Sequence, residues 1–317
     1  MLVALCAQAV VLTSAQSQPP VAPDQAGQPV LKGPTFTTSV SLVSITAVVR
    51  DSKGRVIQHL TRDDFQVLEK GQPRPIVTFD PNAQGPVSLA VLFDVSGSMQ
   101  VANHMDAGKD VVSHLLDALQ PGTDEVGFFT FEKSIRQDVP FTTDHSQVRA
   151  ALGQMSAMGL TSLYDAIAQT AKTLGDRPSK RRAVVVITDG VDTSSTLTAS
   201  EVSGLASSID VPVYVIAVVS PLDHPGTRLS VVDESVMATN LSNLATWTGG
   251  SLTLVSAPAH APVAARALIA ELRQQYLLAV ESASQAGWYG LEVRTKKRDW
   301  NVRTRSGYFA PGSRRVS

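Results

Sequence analysis

The stretch VSLAVLFDVSGSM, Val87–Met99, joins a mostly apolar run to a segment in which Asp94, Ser96 and Ser98 place side-chain oxygens at alternate positions. An apolar run without polar alternation reads as a strand buried on both faces, the pattern of a parallel sheet between helices. Ending such a strand with a carboxylate and two hydroxyls costs desolvation free energy unless partners offset it. Hydrogen bonds to a loop, a catalytic nucleophile and a hard metal ion are the three candidates.

Working outward, the strand-then-helix rhythm repeats. Apolar runs recur at Val126–Phe131, Ala183–Ile187 and Val213–Val219, with a shorter one at Ser251–Val255. Helical spacing lies between them: Val111, Val112, Leu115 and Leu116; then Leu163, Ile167, Ala171 and Leu174; then Val202, Leu205, Ala206 and Ile209; and finally Ala261 to Gln275. The class expected is α/β, a doubly wound, mostly parallel sheet flanked by helices over residues 85–275. Phe128, Phe129 and Phe131 fall inside the second strand and are expected in the core. Lys180-Arg181-Arg182 reads as a solvated strand entrance.

The flanks have β character. Upstream are strands at Val40–Arg50, Phe65–Glu69 and Pro75–Phe79, with a Lys70-Gly71 turn; downstream are Tyr276–Glu281, Trp288–Arg294 and Asn301–Thr304. Neither flank could bury a core alone, so residues 38–82 and 276–310 are expected to build one small β-sandwich, with Trp288 and Tyr289 packed between them. Residues 19–37, rich in Gln, Pro, Gly and Ala, read as a flexible linker.

Leu2–Leu12 is apolar but too short to span a bilayer, and Thr13 and Ala15 suit signal-peptidase cleavage, although no Lys or Arg precedes Leu12. Residues 1–18 are therefore read as a signal peptide and the protein as secreted or periplasmic. Cys6, the only cysteine, lies in that segment, so no disulfide enters the reading. No later run reaches 18 uninterrupted apolar residues, and no transmembrane anchor is expected. The net charge is -1 with 17% charged residues, and the pI is about 6.6. That balance gives no electrostatic argument for a nucleic-acid partner.

Open α/β sheets bind ligands at the carboxyl ends of their strands. Three such ends carry oxygens: DVSGSM, Gly159-Leu160-Thr161-Ser162, and Thr188-Asp189-Gly190-Val191-Asp192. Asp94, Ser96, Ser98, Thr161 and Asp189 together form a set without His or Cys, which suits Mg²⁺, with Ca²⁺ or Mn²⁺ as other occupants. Gly97 is expected to relieve crowding and Gly190 to let the chain turn sharply. Asp192 either accepts a hydrogen bond behind the site or faces solvent, and solvent is the favoured reading. Each loop alone reads equally as a helix cap; their joint occurrence at successive strand ends favours a metal.

Residues 87 to about 255 resemble a von Willebrand factor type A domain, whose metal-ion-dependent adhesion site combines D-x-S-x-S with a threonine and an aspartate from two further loops. The flanks, with LRQQYLLAVES and GWYGLEVRTKK near the end, resemble bacterial proteins called VWFA-related. The resemblance implies that Asp94, Ser96, Ser98, Thr161 and Asp189 surround the ion, some through water, and that a partner protein presents an acidic side chain to the open position. Two carboxylates against a dication leave a formally neutral site that retains affinity for a third. The expected function is divalent-cation-dependent protein binding, in adhesion or complex assembly. Its rivals are an envelope scaffold whose ion only stabilises and a metal-dependent hydrolase.

Catalysis has little support. Ser98 lacks the G-x-S-x-G elbow, and no phosphate-binding or dinucleotide loop is present. His104 is expected in the first turn of a helix or just before it, and the remaining five histidines show no metal spacing and read as surface or cap residues. The loop at 221–228 follows the strand 213–219 at the same sheet edge; it is long enough to help select a partner and reads equally as an ordinary solvent loop.

Overall fold

The VSLAVLF run becomes β5, Val87–Asp94, in which all eight residues are buried. It sits inside a six-stranded sheet of order β10-β9-β8-β5-β6-β7. The strands are β6 (Glu125–Phe131), β7 (Ile135–Thr142), β8 (Arg181–Thr188), β9 (Val213–Val218) and β10 (Leu252–Val255). Every pairing is parallel except β6 with β7. The computed structural model describes residues 41–81, 85–157, 159–190, 192–220 and 236–310, with no side-chain detail at 236–239. The segments read as signal peptide and linker, and the loop at 221–228, lie outside the described residues.

Helices cover both faces of this sheet. On one side α1 (His104–Ala118) and α6 (His260–Arg273) pack on the middle of the sheet and α2 (Ser146–Gly153) on β6 and β7; on the other lie α3 (Leu163–Gly175), α4 (Ala199–Ser208) and α5 (Val236–Thr248). The α1 stripe Val111, Val112, Leu115 and Leu116 is fully buried, as are Leu163, Ile167, Ala171 and Leu174 of α3. Burying each Val or Leu contributes about 1.5–3 kcal/mol, so the layer's cohesion resides in these stripes. Phe128, Phe129 and Phe131 are core residues as expected.

Three elements have no counterpart in the sequence reading. β7 is a polar edge strand carrying Pro140, a residue tolerated at an edge and disqualifying in a centre. The eight-residue α2 buries only Val148 and Leu152. α5 is devoid of charge and rich in Thr, Asn and Ser, so its apolar face, Leu241, Leu244 and Ala245, stands out poorly from its other face. The strand entrance is also not solvated throughout: Arg181 is buried, and Arg182 donates to the carbonyl oxygens of Gly175 and Ile209, the latter at 2.7 Å.

The flanks form two antiparallel sheets over a shared core. The first has the order β13-β1-β11-β4 and the second β14-β12-β2-β3. Their strands are β1 (Leu42–Arg50), β2 (Phe65–Glu69), β3 (Gln72–Arg74), β4 (Thr78–Asp80), β11 (Tyr276–Glu281), β12 (Gly287–Thr295), β13 (Asn301–Arg303) and β14 (Gly307–Ala310). Ile45 faces Leu278 across β1 and β11, and Val67 faces Val293 across β2 and β12, so each sheet draws strands from both ends of the chain. Ile45, Val67, Tyr276, Leu278 and Val293 meet in one core. Lys70 and Gly71 both take positive φ in the two-residue β2–β3 turn, as a tight hairpin requires. Of the expected strand Pro75–Phe79 only Thr78 and Phe79 are strand, as part of β4; residues 75–77 link it to β3 without regular structure. Tyr289 stacks on Tyr308 with ring centroids 5.6 Å apart. Trp288, expected between the flanks, is 43% exposed, because its side chain lies on the outer face opposite Phe309.

Candidate metal centre

The carboxyl ends of β5 and β8 lie side by side in the sheet, Phe93 pairing with Ile187, which brings the DVSGSM and TDG loops together. In the first loop the Ser96 amide donates to Asp94 Oδ1 at 2.8 Å, and the Ser96 and Ser98 hydroxyls are 3.0 Å apart. Asp94 and Ser96 are buried. The loop runs into a 3-10 segment, Gly97–Asn103, before α1 begins at His104.

Thr188 joins the first loop to the third. Its hydroxyl donates to Asp94 Oδ2 at 2.6 Å and accepts from the Gly190 amide at 3.0 Å. Gly190 has φ +95, the left-handed turn expected after Asp189. The Asp189 carboxylate is nearly buried, and His104 Nδ1 lies 3.9 Å from it.

The second loop is tied to both others. The Gly97 amide donates to the Gly159 carbonyl at 3.1 Å. A Cβ on Gly97 would stand 3.5 Å from that oxygen, an ordinary contact, so crowding does not explain the glycine. Thr161 is buried; its carbonyl accepts from the amides of Thr193 and Ser194 at 2.9 and 3.0 Å, and its amide donates to Thr193 Oγ1 at 3.0 Å. Asp192 does not face solvent: its Oδ1 accepts from the Leu163 amide at 2.8 Å and from the Ser195 hydroxyl at 2.6 Å. Ser195 Oγ in turn accepts from the Tyr164 amide at 2.9 Å. Asp192 and Ser195 thereby satisfy first-turn amides of α3, a cap supplied from another loop.

Thr188, Thr193 and Ser195 are positioning residues that the sequence reading passed over. The dense hydroxyl run DTSS, Asp192–Ser195, was the available signal, because such residues bond nearby amides in preference to facing water. His104 opens α1, as its place in a first helical turn predicts, and His145 stands at the N-cap of α2. Both are buried rather than on the surface, and His145 Nε2 is 2.9 Å from the Asp124 carbonyl.

Electrostatically the centre calls for positive charge. Burial pushes the Asp94 carboxyl up to about 6, and the neighbouring Asp189 charge acts in the same direction, while hydrogen bonds from Ser96 and Thr188 pull it down. A dication would remove the repulsion between the carboxylates. The donors gathered on these loops are carboxylates and hydroxyls, hard ligands that fit Mg²⁺, Ca²⁺ or Mn²⁺. Among the described residues there is no cluster of three or more His, Cys, Asp or Glu able to hold a metal, so a metal here depends on the hydroxyls as well as on Asp94 and Asp189.

Residues 89–191 match the family model of the von Willebrand factor type A domain. An uncharacterized protein of Borreliella burgdorferi is 26% identical over 138 residues, 41% of this chain and 40% of that protein. The chain thus spans about two fifths of the length of the curated relative it matches. A von Willebrand factor type A structure from Catenulispora acidiphila superposes with a TM-score of 0.50 at 12% identity, covering 86% of this chain and 74% of that one, and shares its fold. Proximal thread matrix protein 1 of the mussel byssus, in a structure with a zinc-occupied MIDAS motif, gives a TM-score of 0.49 at 15% identity over 64% of this chain and 49% of that one. Among the described residues no helix is long and apolar enough to cross a membrane.

Proposed function

The chain carries a von Willebrand factor type A domain, and from that premise we propose that it is a divalent-cation-dependent protein-binding module. The supporting observation is the buried Asp94 carboxylate, held by Ser96 and Thr188 next to the Asp189 loop and pushed up to about 6 by burial. Asp94 and Asp189 supply the negative charge; Ser96, Ser98 and Thr161 complete the donor set without adding more. Bound Mg²⁺ would supply Lewis acidity toward an acidic side chain of a partner protein. The hydroxyls preserve that acidity, since further carboxylates would quench it.

The structural-ion rival loses ground for a specific reason. Protein hydrogen bonds already join all three loops through Thr188–Asp94, Gly97–Gly159 and Thr161–Thr193. The ion is therefore not needed to assemble them, and the metal-free protein is expected to fold. This reading assigns no catalytic step. It places the protein outside the cytoplasm, secreted or periplasmic, with residues 85–275 as the metal-binding domain and residues 38–82 and 276–310 as its β-rich support.

Calorimetric titration with Mg²⁺ tests the assignment. Wild type is expected to bind one ion and Asp94→Ala none, with unchanged circular dichroism. Equal binding by both proteins defeats it. Partner capture that persists in EDTA would leave the ion but remove its role in adhesion.

A further inference from the structure

A polar cavity of about 470 Å³ opens beside the candidate metal loops, lined by Val95, Thr130, Glu132, Arg136, Asp138 and Gln154 among others. Val95 stands between Asp94 and Ser96, and its amide donates to the Phe131 carbonyl at 2.9 Å, so the cavity wall is continuous with the metal face. Its charges are not balanced. Arg136 binds Asp138 at 2.6 Å, and Asp138 also accepts from the Thr130 hydroxyl at 2.5 Å. These two charges offset each other, which leaves Glu132 to set the sign.

Glu132 is held at the rim. It follows β6 directly, and its carbonyl accepts from the Ser162 amide at 2.7 Å. Its carboxylate lies against Gly159, where a Cβ would collide with it. Gly159 has φ +91 and is the residue whose carbonyl accepts from Gly97. A negative side chain thus borders the two loops that carry Ser96, Ser98 and Thr161.

We propose that Glu132 is a specificity-determining residue, selecting partners in which a Lys or Arg stands next to the acidic residue that seeks the ion. The inference rests on the cation-dependent reading above and deepens it. A dication on its own attracts any acidic segment. A fixed carboxylate at the rim penalises a second acid there and attracts a base, which supplies discrimination by repulsion as well as by attraction. The cavity has room for a Lys or Arg side chain, with Glu132 at its mouth and the Asp138–Arg136 pair along its wall.

The test uses the full chain and an array of synthetic peptides in which a single Asp is flanked by Lys, by Ala or by Glu, probed in Mg²⁺ and in EDTA. Wild type is expected to hold Lys-flanked peptides about tenfold more tightly than Ala-flanked ones, and Glu-flanked ones least, a tenfold step being about 1.4 kcal/mol. Glu132→Gln is expected to bring the three classes within about twofold of each other, and Glu132→Asp to restore their order. Mg²⁺ titration of each variant verifies that the ion is still bound. EDTA-sensitive capture without a preference for Lys, or a preference that survives Glu132→Gln, overturns this proposal alone. Capture indifferent to EDTA, or no capture in Mg²⁺, overturns the cation-dependent reading and this proposal together.

Discussion

Two buried carboxylates, Glu271 and Asp94, are handled in opposite ways. Glu271, on α6 where the α/β layer meets the flanking sheets, is bound by Arg50 of β1 and Arg303 of β13 and accepts from the Tyr214 hydroxyl at 2.6 Å. Asp124 is treated similarly, with Arg273 at 2.5 Å and the amides of Val87 and Gln120 at 2.9 and 2.7 Å. Asp94, equally buried, has the Ser96 amide and the Thr188 hydroxyl as its hydrogen-bond partners among the described residues, and Asp189 beside it. Where the protein needs rigidity it answers a buried charge with its own guanidinium groups. At Asp94 it answers with neutral donors, which leaves that carboxylate's charge to be met from outside.

The sharpest way to break this contrast is at Glu271. Glu271→Ala leaves Arg50 and Arg303 without their common acceptor and is expected to cost about 3–5 kcal/mol, read as a shift of the urea midpoint. A loss below about 1 kcal/mol would show that the pair is solvated and that the two carboxylates are not opposites. Asp94→Ala comes next. It should weaken Mg²⁺ binding at least about a hundredfold, roughly 2.7 kcal/mol, while the urea midpoint of the metal-free protein holds or rises.

The pH dependence sharpens the same comparison. The Asp94 carboxyl is raised from its ordinary 3.8 to about 6 in the metal-free protein. The folded state therefore holds its proton more tightly than the unfolded chain, and metal-free stability falls as pH rises between those values. Protons compete with the ion below about pH 6, so Mg²⁺ affinity should drop by up to about tenfold per unit there and level off above it. A flat affinity between about pH 5 and pH 8 would contradict the shift. The smallest effect is expected at Asp192→Ala, which removes the cap on Leu163 and should cost about 1 kcal/mol without abolishing Mg²⁺ binding, measured by paired urea and calorimetric titrations. If it destroyed metal binding, Asp192 would belong to the ion's donors and not to α3.

Local pattern was sufficient for much of this molecule. A buried parallel strand must be apolar on both faces and a covering helix apolar at 3.6-residue spacing, so β5, β6, β8, β9, α1 and α3 are written directly in the order of their residues. The placement of Asp94 and Asp189 at neighbouring strand ends follows from the same logic, because adjacent parallel strands in one sheet align their carboxyl ends. Thr161, expected at a third strand end, lies instead in the loop between α2 and α3. Short or weakly patterned elements carry less of this information: α2, α5 and β7 are held by neighbours more than by their own periodicity.

What the sequence by itself determined is therefore the layered α/β class, the β character of both flanks and the oxygen-rich loops, since each is a property of residues near one another in the chain. Only the tertiary structure decided that Arg181 is buried, that Asp192 caps α3, that Thr188 bonds Asp94, that Glu271 gathers two arginines, and that Glu132 leans on Gly159. Each of these depends on a partner from a distant segment, and the free energy of burying a charge is set by what surrounds it in space.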